Sequence, residues 1–293
     1  MCIRDRIRTV VFMKGCNMRC KWCHNPETWS KKKQLQYLSD KCIGCGFCVD
    51  SCPERALVKC GDKIKPNYTL CTTCGLCVEK CAFQALSFVG RMVTPEKLLK
   101  EILVDKPYFD RSKGGITLSG GEPLLQKDFV LEFLTLCRKY NVNTAVESNL
   151  CTDWETVRCF LPFVDFWMCD LKLMDSRKHK YWTGVNNKKT ITNITNFGKK
   201  GIPLIVKTPV VPEVNDSLEE IGKIAHFLEP YRKTISYHLL PFHTLGFGKY
   251  NALGMENEME NVKDFPKKRL EEIKKIVSII DLSLIHISEP TRP

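Results

Sequence analysis

Three closely spaced cysteines are the first residues in this chain whose types and spacing could do chemistry. They stand in Gly15-Cys16-Asn17-Met18-Arg19-Cys20-Lys21-Trp22-Cys23-His24, a C-x3-C-x2-C pattern. Three thiolates on one loop can hold three irons of a four-iron cluster and leave the fourth iron open. An open position is what a catalytic metal needs, whereas structural sites are closed. The spacing alone also fits a zinc ion that borrows His24 as its fourth ligand, or three unconnected cysteines.

Eight more cysteines form two runs, Cys42-x2-Cys45-x2-Cys48-x3-Cys52-Pro53 and Cys71-x2-Cys74-x2-Cys77-x3-Cys81, about 29 residues apart. This is the two-cluster bacterial ferredoxin pattern, in which the fourth cysteine of each run ligates the other cluster. It assigns Cys42, Cys45, Cys48 and Cys81 to one [4Fe-4S] cluster and Cys71, Cys74, Cys77 and Cys52 to another, against the alternative of zinc ribbons. Fully ligated clusters cannot take substrate, so their expected work is electron transfer. A further segment, Gly114-Gly115-Ile116-Thr117-Leu118-Ser119-Gly120-Gly121-Glu122-Pro123, ends an apolar run in glycines and a carboxylate. Glycines there let a ligand approach the backbone, and a carboxylate can accept a charged amino group. By itself such a turn is an ordinary loop; beside the first cysteine run it is a candidate site.

Alternating strand-like and helix-like segments must position these residues. Strands are expected at 9–13, 115–118, 144–147, 166–171, 204–207 and 235–239, and helices at 95–103, 129–140, 217–228 and 267–280, the first capped by Thr94 with Pro95 in its first turn. That alternation predicts an α/β fold with parallel strands. Residues 35–88 are too crowded with cysteines for long helices and read as a small inserted domain with an internal repeat.

The 293 residues hold 17 cysteines in tight local runs, which suits metal ligation rather than a disulfide framework. No stretch approaches the roughly 18 apolar residues of a membrane span, and no secretory signal opens the chain. We therefore expect a cytoplasmic protein in a reducing compartment, with no membrane partner. The formal charge of +12 counts cysteines as neutral, and cluster thiolates would offset part of it. Lysine runs such as Lys31-Lys32-Lys33 carry no nucleic-acid motif and read as solvated surface. Both termini look foreign: residues 1–6 (MCIRDR) and 282–287 (LSLIHI) back-translate to reverse complements, as a sequencing adapter would. Residues 1–6 and 282–293 are accordingly set aside, and Cys2 with them.

The stretches IRTVVFMKGCNMRCKWCHNPET, GGITLSGGEPLLQ, CDLKLMD, HKYWTG, VKTPVVPEVND and HLLPFHTLGFGKY, in this order, resemble the glycyl radical enzyme activating enzymes of the radical S-adenosylmethionine (radical SAM) superfamily over nearly all of residues 7–281. The double cysteine run resembles the longer branch of that family. The resemblance implies an incomplete (β/α)6 barrel, made discontinuously from 7–34 and 89–281, with a bacterial-ferredoxin-like insert at 35–88. It implies that Cys16, Cys20 and Cys23 bind a cluster whose open iron is chelated by S-adenosylmethionine. Trp22, Cys23 and His24 would line the cofactor, and Ser119, Gly120, Gly121 and Glu122 would meet its amino group. Asp170, Leu171 and Lys172 would line the site, with Lys207 and His243 as further contacts. Lys207 stands where an arginine is common, so a bidentate clasp becomes a point contact. Ser148-Asn149 and Asp5-Arg6 also depart from the family pattern.

The activity implied is that of an oxidoreductase. Flavodoxin or ferredoxin would donate an electron, S-adenosylmethionine would be split into methionine and a 5′-deoxyadenosyl radical, and the radical would take hydrogen from a backbone glycine of a partner glycyl radical enzyme. A monomer is expected. Two rivals are a radical SAM enzyme acting on a small molecule and a pure iron–sulfur electron carrier. Cys60, Cys137, Cys151, Cys159 and Cys169 match no ligand pattern and read as buried or incidental.

Overall fold

The computed structural model describes residues 6–278. Residues 1–5 and 282–293, most of what the sequence assigns to adapter, lie outside the described residues, as do 279 and 280 of the last expected helix.

The chain begins with strand β1 (Arg8–Met13), then enters a compact excursion: β2 (Gln34–Tyr37), α1 (Phe47–Asp50), β3 (Leu57–Cys60), β4 (Lys63–Pro66), α2 (Leu76–Glu79) and β5 (Leu86–Val89). It continues through α3 (Pro95–Ile102), α4 (Lys106–Ser112), β6 (Gly115–Gly120), α5 (Lys127–Lys139), β7 (Asn143–Ser148), α6 (Trp154–Phe160) and β8 (Phe166–Asp170). It ends with α7 (Ser176–Thr183), α8 (Lys188–Lys199), β9 (Leu204–Val210), α9 (Leu218–Leu228), β10 (Ile235–Pro241), α10 (Phe247–Ala252) and α11 (Lys267–Ser278).

The six strands expected from the sequence form one sheet in the order β1-β6-β7-β8-β9-β10, every ladder parallel. Helices cover its outer face, so strand positions that point outward are as apolar as a core: Ile116, Leu118, Val146, Trp167 and Val206 are buried against Phe133, Phe160, Phe197 and Ile224 of the helices. β1 and β10 are the two edges of this sheet and share no ladder. The expected cap is present, Thr94 Oγ1 accepting the Lys97 N–H at 3.3 Å at the start of α3.

The excursion has its own small core, with Leu35, Leu57, Ile64, Ala85 and Leu86 packed among the cysteines. β2 and β5 pair antiparallel at its root, with Gln34 opposite Val89 and Tyr37 opposite Leu86. The β3–β4 hairpin joins its two halves.

Candidate active site

The eight cysteines of the double run separate into two groups of four. Cys42, Cys45, Cys48 and Cys81 surround one cavity of ≈ 350 Å³, which counts space open to solvent, together with Ile64, Phe83 and Leu86. Cys71, Cys74, Cys77 and Cys52 surround the other, of ≈ 360 Å³, with Leu35, Leu57 and Phe88. Each group takes three cysteines from one run and the last from the other. The halves match in detail: the Ala56 N–H points at Cys52 Sγ (3.2 Å) and the Ala85 N–H at Cys81 Sγ (3.3 Å). Among the described residues no three His, Cys, Asp or Glu side chains converge as a single ion would require. The thiols instead line cavities with apolar walls, a donor set suited to a multi-iron cluster.

The first cysteine run forms the loop after β1 and is pinned from several sides. The Arg19 N–H donates to Thr183 O (2.7 Å), the Lys21 N–H to Trp182 O (3.1 Å) and the Gly15 N–H to Thr28 O (2.7 Å), while the Tyr250 hydroxyl donates to Cys23 O (2.8 Å). Backbone N–H groups of Met18 and Asn25 point at the sulfurs of Cys16 and Cys23, both at 3.4 Å. Burial pushes the Cys16 thiol up to about 11 and the Cys20 thiol to about 12, and raises Cys23 as well. A bound metal is what would release those protons, because it stabilises the thiolate directly.

The glycine-rich turn after β6 lies against this loop. The Gly121 N–H donates to Met13 O and the Glu122 N–H to Gly15 O, both at 2.8 Å. A Cβ at Gly121 would fall 2.2 Å from Gly15 O, and Gly120, at φ +99°, would press on the Met13 backbone at 2.7 Å. Only glycine allows the two loops this approach. Glu122 is spent within the scaffold: Oε1 accepts the Leu124 N–H (3.0 Å) and the Ser148 hydroxyl (2.8 Å), and Oε2 the Asn149 N–H (2.7 Å). Its carboxyl is almost wholly buried, which lifts it to about 7 against those bonds. Asn149 in turn donates to Asn17 Oδ1 (2.8 Å), tying the end of β7 to the cysteine loop.

Inside the sheet's concave face runs a line of charges. The Ser119 hydroxyl donates to Glu147 Oε2 (2.7 Å), whose other oxygen pairs with Lys207 Nζ. Lys172 Nζ bonds Asp170 Oδ2 at 2.9 Å, while Asp170 Oδ1 is buried without a partner. Burial alone would raise the Asp170 carboxyl, but the Lys172 and Lys207 ammoniums outweigh it and hold it below the usual range. Burial would likewise lower both lysines, and their carboxylates outweigh that and raise them. Leu171 is fully buried, its N–H on Lys207 O (2.9 Å).

Over the cysteine loop, His24 and His243 stack with ring centroids 4.1 Å apart. Burial, helped by His243, pushes His24 down to about 4, and His24 Nε2 and His243 Nδ1 have no partner. Trp22 is buried against Trp182, 6.1 Å between centroids. The structure thus places the expected cofactor-binding residues on the loop after β1, at the ends of β6 and β8, along the inner side of β9 and after β10, on the side of the sheet where barrel enzymes keep their chemistry, while the eight cysteines of the double run stay in the excursion. Sequence reasoning gave Glu147 and Tyr250 no role and noted Ser148-Asn149 only as a departure from the family pattern; a lone carboxylate inside the apolar run TAVES was the available signal for Glu147. Of the unassigned cysteines, Cys137 and Cys169 are buried, Cys151 and Cys159 half-buried and Cys60 exposed.

The Radical SAM superfamily pattern matches residues 71–228, and the 4Fe-4S binding domain pattern matches 35–58. The first match begins at Cys71, so β1 and its cysteine loop lie outside it. The (2S)-3-sulfopropanediol dehydratase activating enzyme of Klebsiella oxytoca is 37% identical over 264 residues, 88% of this chain and 83% of that protein. The isethionate sulfite-lyase activating enzyme of Nitratidesulfovibrio vulgaris is 38% identical over 87% of this chain and 85% of its own. The choline trimethylamine-lyase activating enzyme of Oleidesulfovibrio alaskensis is 33% identical over 94% and 91%. Among solved structures, a domain of pyruvate-formate lyase-activating enzyme from Bacteroides vulgatus has TM-score 0.51 at 24% identity, covering 60% of this chain and 99% of that one. Streptococcus suis SuiB bound to precursor peptide SuiA has TM-score 0.57 at 11% identity, covering 95% and 48%. Both share the fold.

Proposed function

The chain belongs to the glycyl radical enzyme activating enzymes of the radical SAM superfamily, and from that premise we propose that it works with three [4Fe-4S] clusters and S-adenosylmethionine. As a member of that family it activates a partner glycyl radical enzyme. Cys16, Cys20 and Cys23 would hold the open cluster; Cys42, Cys45, Cys48 and Cys81 a second; and Cys71, Cys74, Cys77 and Cys52 a third. The chemistry S-adenosylmethionine would supply there, given one electron from the open cluster, is cleavage of its C5′–S bond to methionine and a 5′-deoxyadenosyl radical that would take hydrogen from a backbone glycine of the partner.

The chain's own residues would hold and shield that cofactor. Lys172 and Lys207 bring positive charge to a carboxylate, and Asp170 Oδ1 is an unspent buried acceptor. Because the Glu122 carboxylate is already committed, contacts from 119–122 to an amino group would come from the backbone at Ser119, Gly120 and Gly121 and the Ser119 hydroxyl. Trp22 and the His24–His243 stack would cover the cluster loop and keep water and oxygen out. Residues 35–88 would act as the electron-relay unit, a ferredoxin-like insert fed by flavodoxin or ferredoxin. We place the protein, as a monomer, in the reducing cytoplasm, where its thiolates stay available.

The observation that carries this reading is the junction of the C-x3-C-x2-C loop with the Ser119–Glu147–Lys207 and Asp170–Lys172 groups at the strand ends. The test is anaerobic mixing of the reduced protein and S-adenosylmethionine with the glycyl radical enzyme encoded beside it. A doublet glycyl signal should appear by electron paramagnetic resonance, and deuterium placed on the target glycine should appear in 5′-deoxyadenosine. Label retained in the partner, with a metabolite losing hydrogen instead, would point to a small-molecule enzyme.

A further inference from the structure

Two side chains on the unpaired edges of the sheet are left over once the site above is assembled. Phe12 stands on β1 and is 53% exposed. Its neighbours fix where it points. Thr9 Oγ1 bonds Asp105 Oδ2 in the helical layer (2.6 Å) and Met13 is buried in the core, so those residues face outward. Arg8 Nε reaches Thr117 Oγ1 at 3.0 Å on the opposite face. By strand alternation Phe12 shares that inner face with Arg8. An aromatic ring is therefore exposed on the inner face at the edge of the sheet.

His238 stands on the other edge strand, β10, directly opposite Lys207 in the ladder. Lys207 reaches inward to Glu147, so His238 faces inward too, while the neighbouring Tyr237 hydroxyl bonds Thr208 Oγ1 (3.1 Å) on the outer side. His238 is only 5% exposed, and neither of its ring nitrogens has a partner. Burial, with the Lys207 charge beside it, pushes it down to about 4, so the ring is neutral at working pH. A neutral imidazole offers one donor and one acceptor. A buried polar group left wholly unsatisfied is costly, and its partner is then a ligand or ordered water.

A peptide group is the complement of that ring, with one C=O to accept and one N–H to donate. A flat aromatic face on the opposite edge suits a segment whose Cα carries no side chain. We propose that Phe12 and His238 form the peptide-binding pair of this enzyme, gripping the main chain of the partner's glycine segment as it enters between the two unpaired strands. This rests on the reading that the target is a backbone glycine of another protein. In that arrangement a Cβ on the residue facing Phe12 would stand against its ring, which would favour glycine there.

The reconstituted holoenzyme tests this with Phe12→Ala and His238→Phe, using the neighbouring-gene partner and a synthetic peptide of its glycine segment. The half-saturating concentration of partner and of peptide for radical formation should rise about tenfold in each variant. The half-saturating concentration of S-adenosylmethionine for 5′-deoxyadenosine formation should stay within about twofold. His238→Gln, which keeps a donor and an acceptor, should recover most of the loss. Because Phe12 is exposed, Phe12→Ala carries the test even if His238→Phe folds poorly. Unchanged partner saturation in Phe12→Ala overturns the proposal, and so does a loss of cofactor affinity in step with it, which would assign both residues to the nucleoside. If wild-type enzyme cleaves the cofactor yet produces no glycyl radical in any partner, the premise fails and the proposal falls with it.

Discussion

Replacing Glu147 by Ala would leave Lys207 as an ammonium that is 1% exposed and has lost its direct ion-pair partner, with only the Asp170 carboxylate, already bonded to Lys172, left to oppose its charge. Removing one partner of a buried pair costs about 3–5 kcal/mol, because the remaining charge is stranded away from water. The Glu147 side chain is itself 20% exposed, so some water can reach the gap and the low end, about 3 kcal/mol, applies. The Ser119 hydroxyl also loses its acceptor, which adds about 1 kcal/mol. We therefore expect Glu147→Ala to destabilise the barrel by about 4 kcal/mol. Adding Lys207→Met to that variant removes the stranded charge and should recover about 2–3 kcal/mol. Urea unfolding followed by tryptophan fluorescence, under anaerobic conditions and without S-adenosylmethionine, measures both quantities. Trp22, Trp29, Trp154, Trp167 and Trp182 all lie outside 35–88, so the signal reports the barrel rather than the insert. A loss below about 1 kcal/mol in Glu147→Ala, or a second loss instead of a recovery on adding Lys207→Met, refutes the reasoning.

Other expectations concern the clusters and a buried histidine. Anaerobic reconstitution should give about twelve irons per chain, and Cys81→Ala should perturb the same spectroscopic cluster as Cys45→Ala while Cys52→Ala matches Cys74→Ala. Pairing of Cys81 with the Cys74 phenotype would contradict the crossed arrangement. Cys16→Ala, Cys20→Ala or Cys23→Ala should abolish cofactor cleavage with any reductant, whereas Cys45→Ala or Cys74→Ala should fail mainly with a protein donor and keep activity with a strong chemical reductant. His179 is fully buried, its Nδ1 2.7 Å from Val185 O, and burial pushes it down to about 4 from 6.5. The unfolded imidazole gains a proton near 6.5 and the folded one only near 4, so its contribution is fully present above 6.5 and is lost as pH falls toward 4. That window holds at most about 3 kcal/mol, and His179→Gln should flatten the stability–pH curve within it.

The six strands were legible because the face of each that packs under the helices must be apolar, and short runs rich in β-branched and aromatic residues such as TVVFM and LIVK suit a strand. The cysteine spacings were legible for a similar reason: ligand geometry leaves little freedom in the intervals. Helix α8 was not read from KKTITNITNFGK, since Thr and Asn are poor helix formers. Tertiary contacts override that preference here, with Ile194 and Phe197 in the core and Asn193 Nδ2 donating to Leu150 O and Thr152 O at 2.9 and 2.8 Å. Glu122 could be placed beside the cysteine loop from its motif, but not its commitment to Ser148 and Asn149, because that depends on where β7 ends. The directions of Phe12 and His238 required the order of the strands: an edge position is a property of topology, invisible in a run of residues.

The root of the insert has a consequence for how such a chain can change over time. Gln34 and Val89 face each other across a ladder, so the excursion leaves and rejoins the barrel at essentially one point. A segment with adjoining ends can be lengthened, shortened or excised and closed by a tight turn at small entropic cost, because closure depends only logarithmically on loop length. The register of β1 against β6, Thr9 opposite Ile116, makes no use of what lies between. The insert is therefore a cassette: cutting it at this root and closing the ends leaves the barrel's strand pairing without a broken ladder.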